Sequence, residues 1–276
     1  GRIASADARP ICRRLDGIEV DGAEVSVRHV KEHRFLLVLR FPERIPGALT
    51  DTDPGQTGLA PEPLEARDEA SGRARDAARA WLEAAHEELA GETPANGVLL
   101  RGFDARPDWP AFPDVFGVRA LAAAAYPMYR GVARLVGMEA VAVDDGMEPL
   151  ARILAERREE ADFFFLHFKP TDRAGEDGDF DRKVALIEEA DAALPRLLEP
   201  DPDVVLVTGD HSTPSVHRSH SWHPVPFLLA EPGARAGGAA EFGEAGCAAG
   251  SWGTRRGREL MPLAMAAAGR LERFGA

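Results

Sequence analysis

VVLVTGDHSTPSVHRSHSWHPVPFLLA, residues 204–230, decides how the rest of the chain reads. An apolar run, Val204 to Val207, ends at Thr208-Gly209 and then releases Asp210 and His211 together. That is how a buried parallel strand hands side chains to a site. His217, His220 and His223 follow closely, so four of the chain's eight histidines fall between positions 211 and 223. A neutral imidazole beside an ionised carboxylate suits a divalent ion. One such histidine would read as a surface loop residue, whereas the cluster reads as ligands.

The 276 residues, 45% of them hydrophobic, suffice for one large or two ordinary domains with a sizeable core. The formal charge of −13, from 46 acids against 33 bases, argues against non-specific nucleic-acid binding and against an anionic membrane surface. An anionic substrate then needs a local basic pocket. Only Cys12 and Cys247 are present, far apart in sequence, which argues against a disulfide framework and fits a reducing cytoplasm. No apolar run reaches spanning length and no signal-like segment opens the chain. The first residue is Gly1, which suggests a start inside a longer protein.

Residues 1–95 read as a small α+β domain. Val25–Val30 and Phe35–Phe41 are predicted strands of a hairpin turning at Lys31–His33. A Pro- and Gly-rich loop follows, with TDTDPG (50–55) at its centre, where Asp51 and Asp53 read first as turn caps. Ala66–Leu89 carries a helical stripe of Trp81, Leu82, Ala85 and Leu89, with His86 placed on the helix surface.

Composition changes at Pro94–Gly97, so the second domain is set at 96–276, opening with a predicted buried strand over 98–103 that leaves through Arg101 and Gly102. Segments of strand and helix character then alternate: 118–126, 129–138, 140–145, 147–160, 162–172, 179–199, 204–207 and 225–230. Alternation of this kind predicts an α/β fold with a doubly wound, mainly parallel sheet, whose functional groups collect at the carboxyl ends of strands.

That rule draws attention to DFFFLHF (162–168) and its exit KPTDRAGEDGDF (169–180), taken as a neighbour of the Asp210-His211 exit. Asp172 and Glu176 are four apart, so one helical turn puts both carboxylates on the same side. Lys169 is placed to meet a phosphate. Adjacent side chains diverge on leaving a strand, so Asp210 and His211 fit two neighbouring ions or opposite sides of one. Two ions at such a site clamp the attacking and leaving oxygens of a phosphoryl transfer. The oxygen-rich donor set favours manganese or magnesium over zinc.

At these residues the chain resembles the archaeal-type, cofactor-independent phosphoglycerate mutases of the alkaline phosphatase superfamily. The resemblance rests on FLLVLRF (35–41) with TDTDPG, PANGVLLRG (94–102), YRGVARLVGM (129–138), the run 162–191, VTGDHSTP (207–214), HSWHPVPFLL (220–229) and the tail 250–276. It covers nearly the whole chain. It implies an alkaline phosphatase-like α/β core with an inserted substrate-enclosing domain at 1–95. The activity implied is movement of a phosphoryl group between the 3- and 2-hydroxyls of glycerate, through a phosphoserine and without a bisphosphoglycerate cofactor.

Carried over residue by residue, Asp210 and His211 serve one ion, and Asp172, Glu176 and His220 the other. His217 and His223 match no ligand. Arg40, Asp51, Asp53, Arg101 and Lys169 are the candidates to hold the phosphoglycerate, arginine because its fork matches carboxylate and phosphate oxygens. Two departures stand out. The family pattern has histidine where this chain has Glu176, which adds negative charge to the site. The family's amino-terminal third, with the nucleophilic serine and an early metal aspartate, has no counterpart here, and Ser212 and Thr213 read as structural. A fragment of a longer enzyme is therefore expected, with an oligomer or association with a separate amino-terminal portion covering exposed apolar sheet edges. The alternatives are another phosphotransferase or phosphatase of the superfamily and a catalytically dead metal-binding relative.

Overall fold

The structure is a computed structural model that describes residues 3–234 and 241–271. Gly1, Arg2 and the last five residues of the carboxy-terminal tail therefore lie outside the described residues. The chain divides into two compact units, Gly1–Asp108 and Trp109–Ala276.

The first unit opens with α1 (Ser5–Leu15), followed by β1 (Glu24–Lys31) and β2 (Arg34–Arg40). The strands form the expected antiparallel hairpin, with Glu24 opposite Arg40 and Val27 opposite Leu37. The reversal passes through Glu32, whose φ of 52° is left-handed. A short 3-10 turn, held by Asp68 accepting from the Ser71 N–H, leads into α2 (Gly72–Leu89). Ala74, Ala77, Ala78, Trp81, Ala85 and Leu89 recur at helical spacing and are all buried. That face packs with Cys12, Leu15, Val27 and Leu100 into one core and with Leu49 and Leu64 into a second.

Two expectations change here. Residues 98–103 form no strand. Leu100 is instead fixed by buried Thr52: its N–H donates to the Thr52 hydroxyl at 2.8 Å and its carbonyl accepts from the Thr52 N–H at 2.8 Å. With Leu100 in the core that holds Trp81, residues 96–108 fall in the first compact unit and the division lies at Asp108/Trp109, not at 95/96. His86 is also half-buried, its Nε2 3.1 Å from the Val98 carbonyl oxygen, and so is no surface residue.

The second unit runs α3 (Phe112–Phe116), β3 (Ala120–Ala124), α4 (Pro127–Leu135), β4 (Glu139–Ala142), α5 (Met147–Arg157), β5 (Phe163–His167), α6 (Pro170–Asp177) and α7 (Phe180–Leu198). β6 (Val205–Thr208), β7 (Phe227–Ala230), α8 (Glu244–Ala248) and α9 (Leu260–Ala267) follow. Three strands form a parallel sheet in the order β4-β3-β5. β3 reads Ala-Leu-Ala-Ala-Ala and every residue of it is buried, because helices cover both of its faces and small side chains admit them. Leu121 and Ala123 lie in a cluster with Met147 and Leu150 of α5 and partly buried Ala190, Ala193 and Leu197 of α7. Ala120 and Ala122 lie in another with Ala133 of α4, Met138 and Phe112. This is the doubly wound α/β arrangement that the alternating pattern predicts.

At the amino ends of β3 and β5, Arg119 and Asp162 lock the two strands. The guanidinium meets both carboxylate oxygens at 3.1 Å, and the Arg119 N–H donates to the same carboxylate at 3.0 Å. The carboxyl ends are left to the functional residues. β6 departs from its predicted parallel pairing, for it pairs antiparallel with β7, Val205 opposite Ala230 and Thr208 opposite Phe227. Residues 209–226 contain no helix to carry the chain across the sheet, so the next strand returns in the opposite direction. β6 is consequently half-buried and forms a ladder separate from that of β5.

Candidate metal centre

The exits of β5 and β6 meet. After β5 the chain turns at Lys169, enters α6 with Pro170 in its first turn and leaves it at Gly178, whose φ is 73°. The eight-residue helix sets Asp172 and Glu176 on one side, as their spacing predicts, and both carboxylates reach His220. Its Nε2 lies 3.6 Å from Asp172 Oδ1 and 3.5 Å from Glu176 Oε1. After β6, His211 stacks on His220 with ring centroids 3.7 Å apart and has its Nδ1 3.9 Å from Asp172 Oδ1. Asp210 Oδ2 stands 3.5 Å from His211 Nε2. All five metal candidates are thus linked in one cluster. Within it Asp172, His211 and His220 offer one ligand atom each, all within 4.8 Å of one another.

The cluster is built tightly around Asp172. Buried Thr213 donates its hydroxyl to Asp172 Oδ1 at 2.6 Å, and Thr213 Oγ1 itself lies 3.1 Å from His211 Nδ1. Lys183 of α7 holds the Thr213 carbonyl at 2.7 Å. A side chain at Gly175 would run into that carbonyl and the Thr213 side chain, so α6 approaches the loop this closely only with glycine there. Lys169 Nζ donates to Asp172 Oδ2. Burial pushes the Asp172 carboxyl up, but the hydrogen bonds from Lys169 and Thr213 outweigh it and hold the group below the usual carboxylate value. Burial likewise presses the Lys169 ammonium down, and its pairing with Asp172 wins.

Three carboxylates and two imidazoles gather here, with oxygen and nitrogen donors and no thiolate among them. That donor chemistry fits a divalent cation. Beside it His167, at the end of β5, stacks on Tyr129 with centroids 3.7 Å apart. Burial lowers the pKa of this imidazole and raises that of the Tyr129 phenol, so both stay neutral near pH 7.

The sequence model of the Metalloenzyme superfamily matches residues 64–267, and that of the 2,3-bisphosphoglycerate-independent phosphoglycerate mutases matches residues 1–96. A probable 2,3-bisphosphoglycerate-independent phosphoglycerate mutase of Aquifex aeolicus is 41% identical over 288 residues, covering 100% of this chain and 69% of the relative. This chain belongs to that family. A counterpart in Deinococcus radiodurans is 44% identical, covering 94% of this chain and 64% of its own length. The chain thus spans about two thirds of the length of such relatives. Among solved structures, a protein from Pyrococcus horikoshii superposes with a TM-score of 0.84 at 26% identity, covering 100% of this chain and 72% of that one. A cofactor-independent phosphoglycerate mutase from Thermoplasma acidophilum shares the fold with a TM-score of 0.66 at 23% identity, covering 94% and 69%.

Of the substrate candidates in this member of the mutase family, only Lys169 stands at the cluster. Arg40, Asp51, Asp53 and Arg101 belong to the first unit. There Asp51 accepts from the Gly102 N–H at 2.8 Å, Asp53 from the Gly55 N–H at 2.9 Å, and Arg101 reaches Asp53 at 3.4 Å. Asp51, Asp53 and Arg101 therefore share one loop pair, in which Asp53 caps its own turn as the simpler reading has it, while Asp51 ties the loop to residue 102 and caps no turn. Arg40 is exposed and pairs with Glu24 at 2.9 Å. His217 and His223 stack loosely with each other, centroids 6.2 Å apart, outside the compact ligand group. Thr213, Lys183, Tyr129 and His167 escape the sequence reading. A hydroxyl two residues after His211 is a signal for the first, while the others are placed by tertiary packing alone.

Proposed function

We propose that this chain carries the metal-binding part of a phosphoglycerate mutase that interconverts 3-phosphoglycerate and 2-phosphoglycerate. The observation that carries the reading is the compact Asp172, His211 and His220 group at the joined exits of β5 and β6, in a chain of this family. In the proposal Asp210 and His211 hold one divalent ion and Asp172, Glu176 and His220 a second, manganese or magnesium. When bound, such ions offset the charge that develops on transferring phosphoryl oxygens. Lys169, kept charged by Asp172, adds a fixed cation beside them, its ammonium 5.8 Å from the centroid of the Tyr129 ring. The first unit takes the substrate-enclosing role, with Arg40, Arg101, Asp51 and Asp53 as its contacts to the glycerate. The phosphoryl group passes through a phosphoserine, the serine belonging to the portion of the relatives that this chain does not match. Reducing cytoplasm is the setting that the two free cysteines favour.

The test follows 3-phosphoglycerate with Mn2+ and the chain by phosphorus NMR. Selective paramagnetic broadening of the phosphoglycerate signal that His220→Ala abolishes supports the proposal, whereas appearance of 2-phosphoglycerate supports the activity but overturns the assignment of the serine to the portion that this chain does not match. Release of inorganic phosphate in place of 2-phosphoglycerate overturns it in favour of a phosphatase. A signal neither converted nor broadened also counts against it.

A further inference from the structure

The Thr213 hydroxyl has one proton and lies between two ligand candidates, and this fixes more than its own position. The 2.6 Å hydrogen bond that Thr213 Oγ1 donates to Asp172 Oδ1 consumes the hydroxyl proton. The remaining partner, His211 Nδ1 at 3.1 Å, must then donate to the threonine oxygen. That leaves the lone pair of neutral His211 on Nε2, the nitrogen that stands 3.5 Å from Asp210 Oδ2.

We infer that Thr213 is a positioning residue that locks His211 in its Nδ1–H tautomer and so commits the ring to the first of the two cation subsites already proposed. One is Asp210 with His211 Nε2. The other is Asp172 with Glu176 and His220, whose Nε2 is within 3.6 Å of both carboxylates. The threonine hydroxyl is the joint between them. It withdraws His211 Nδ1 from the Asp172 subsite and orients the ring toward Asp210. Three further contacts hold that joint rigid: the Lys183 bond to the Thr213 carbonyl, the side-chain-free face of Gly175 and the 4% exposure of Thr213 itself. Partners that orient a ligating histidine through its other nitrogen commonly change metal affinity about 10- to 100-fold when removed. The inference rests on reading the cluster as a metal centre.

Nitrogen-15 NMR of the imidazoles, at a pH where they are neutral, tests it without any activity. The expected wild-type spectrum shows His211 with a protonated Nδ1 and a pyridine-type Nε2. Thr213→Ser is expected to preserve this pattern, and Thr213→Val to lose it and to weaken Mn2+ binding about 10- to 100-fold by calorimetry. A pyridine-type Nδ1 in the wild type overturns the inference whatever the variants do, including a Thr213→Val chain that fails to fold. So does a folded Thr213→Val with an unchanged tautomer and Mn2+ affinity within about twofold of wild type. Failure of the underlying reading looks different: the wild type then shows the Nδ1–H tautomer but binds no Mn2+.

Discussion

Gly175 and Thr213 show how little room separates the two halves of the cluster. A methyl group at position 175 meets the Thr213 carbonyl, which Lys183 also holds, so the loop cannot simply retreat. Gly175→Ala is therefore expected to cost about 1–3 kcal/mol in denaturant unfolding, the usual range for forcing extra atoms into a packed site. The same variant is expected to weaken Mn2+ binding. Gly91, where an added Cβ meets nothing within 4 Å, is the matched control and should change neither. Asp172, Glu176, His211 and Asp210 are legible from sequence because strand exits and a four-residue helical spacing place side chains by local rules. Thr213 is not legible as a bridge, since its role depends on α6 arriving from the other side.

At the scale of elements, the parallel sheet is pinned at the end remote from the cluster. The Arg119 bonds to both Asp162 oxygens, and the Arg119 backbone N–H, hold that carboxyl down to about 2 against an ordinary value of 3.8. A depressed carboxylate contributes stability above its unfolded value and loses it as pH falls through its folded value. Wild type is thus expected to exceed Asp162→Asn in stability by about 1 kcal/mol, after allowance for solvent screening, throughout the range above pH 5. The difference should shrink as pH falls from 3.8 toward 2, which urea titrations at a series of pH values will show. In the first unit, Trp81 is fully buried at the centre of the α2 stripe. Trp81→Ala is expected to cost about 3–5 kcal/mol by the same method.

These elements were readable where hydrophobic period and burial agree. The α2 stripe, the hairpin and the alternation around β3 all meet that condition. Reading failed at β6, whose apolar run fits either strand direction until residues 209–226 prove to hold no crossover helix. It failed again at 98–103, where an apolar run is fixed through Thr52 and not by a ladder.

On the scale of the whole molecule, the two compact units carry different parts of the proposed chemistry, ligands in the second and the substrate arginines in the first. Sequence divides the roles in this way but sets the division at 95/96, because Pro94–Gly97 looks like a linker while Leu100 belongs to the first core. Among the described residues no helix is long and apolar enough to cross a membrane. A bound ion stabilises the state that holds its ligands together, by about 2.7 kcal/mol when its concentration is 100 times the dissociation constant. Thermal unfolding should accordingly shift upward with Mn2+ and return on chelation. The central claim, that Asp172, His211 and His220 form a metal centre, is most directly tested by titrating Mn2+ into the chain and following free ion by its six-line electron paramagnetic resonance signal. Saturable loss of that signal in wild type, abolished or weakened at least tenfold in a folded His220→Ala chain, is the expected result. Equal signals with and without His220, or with and without the protein, would contradict it.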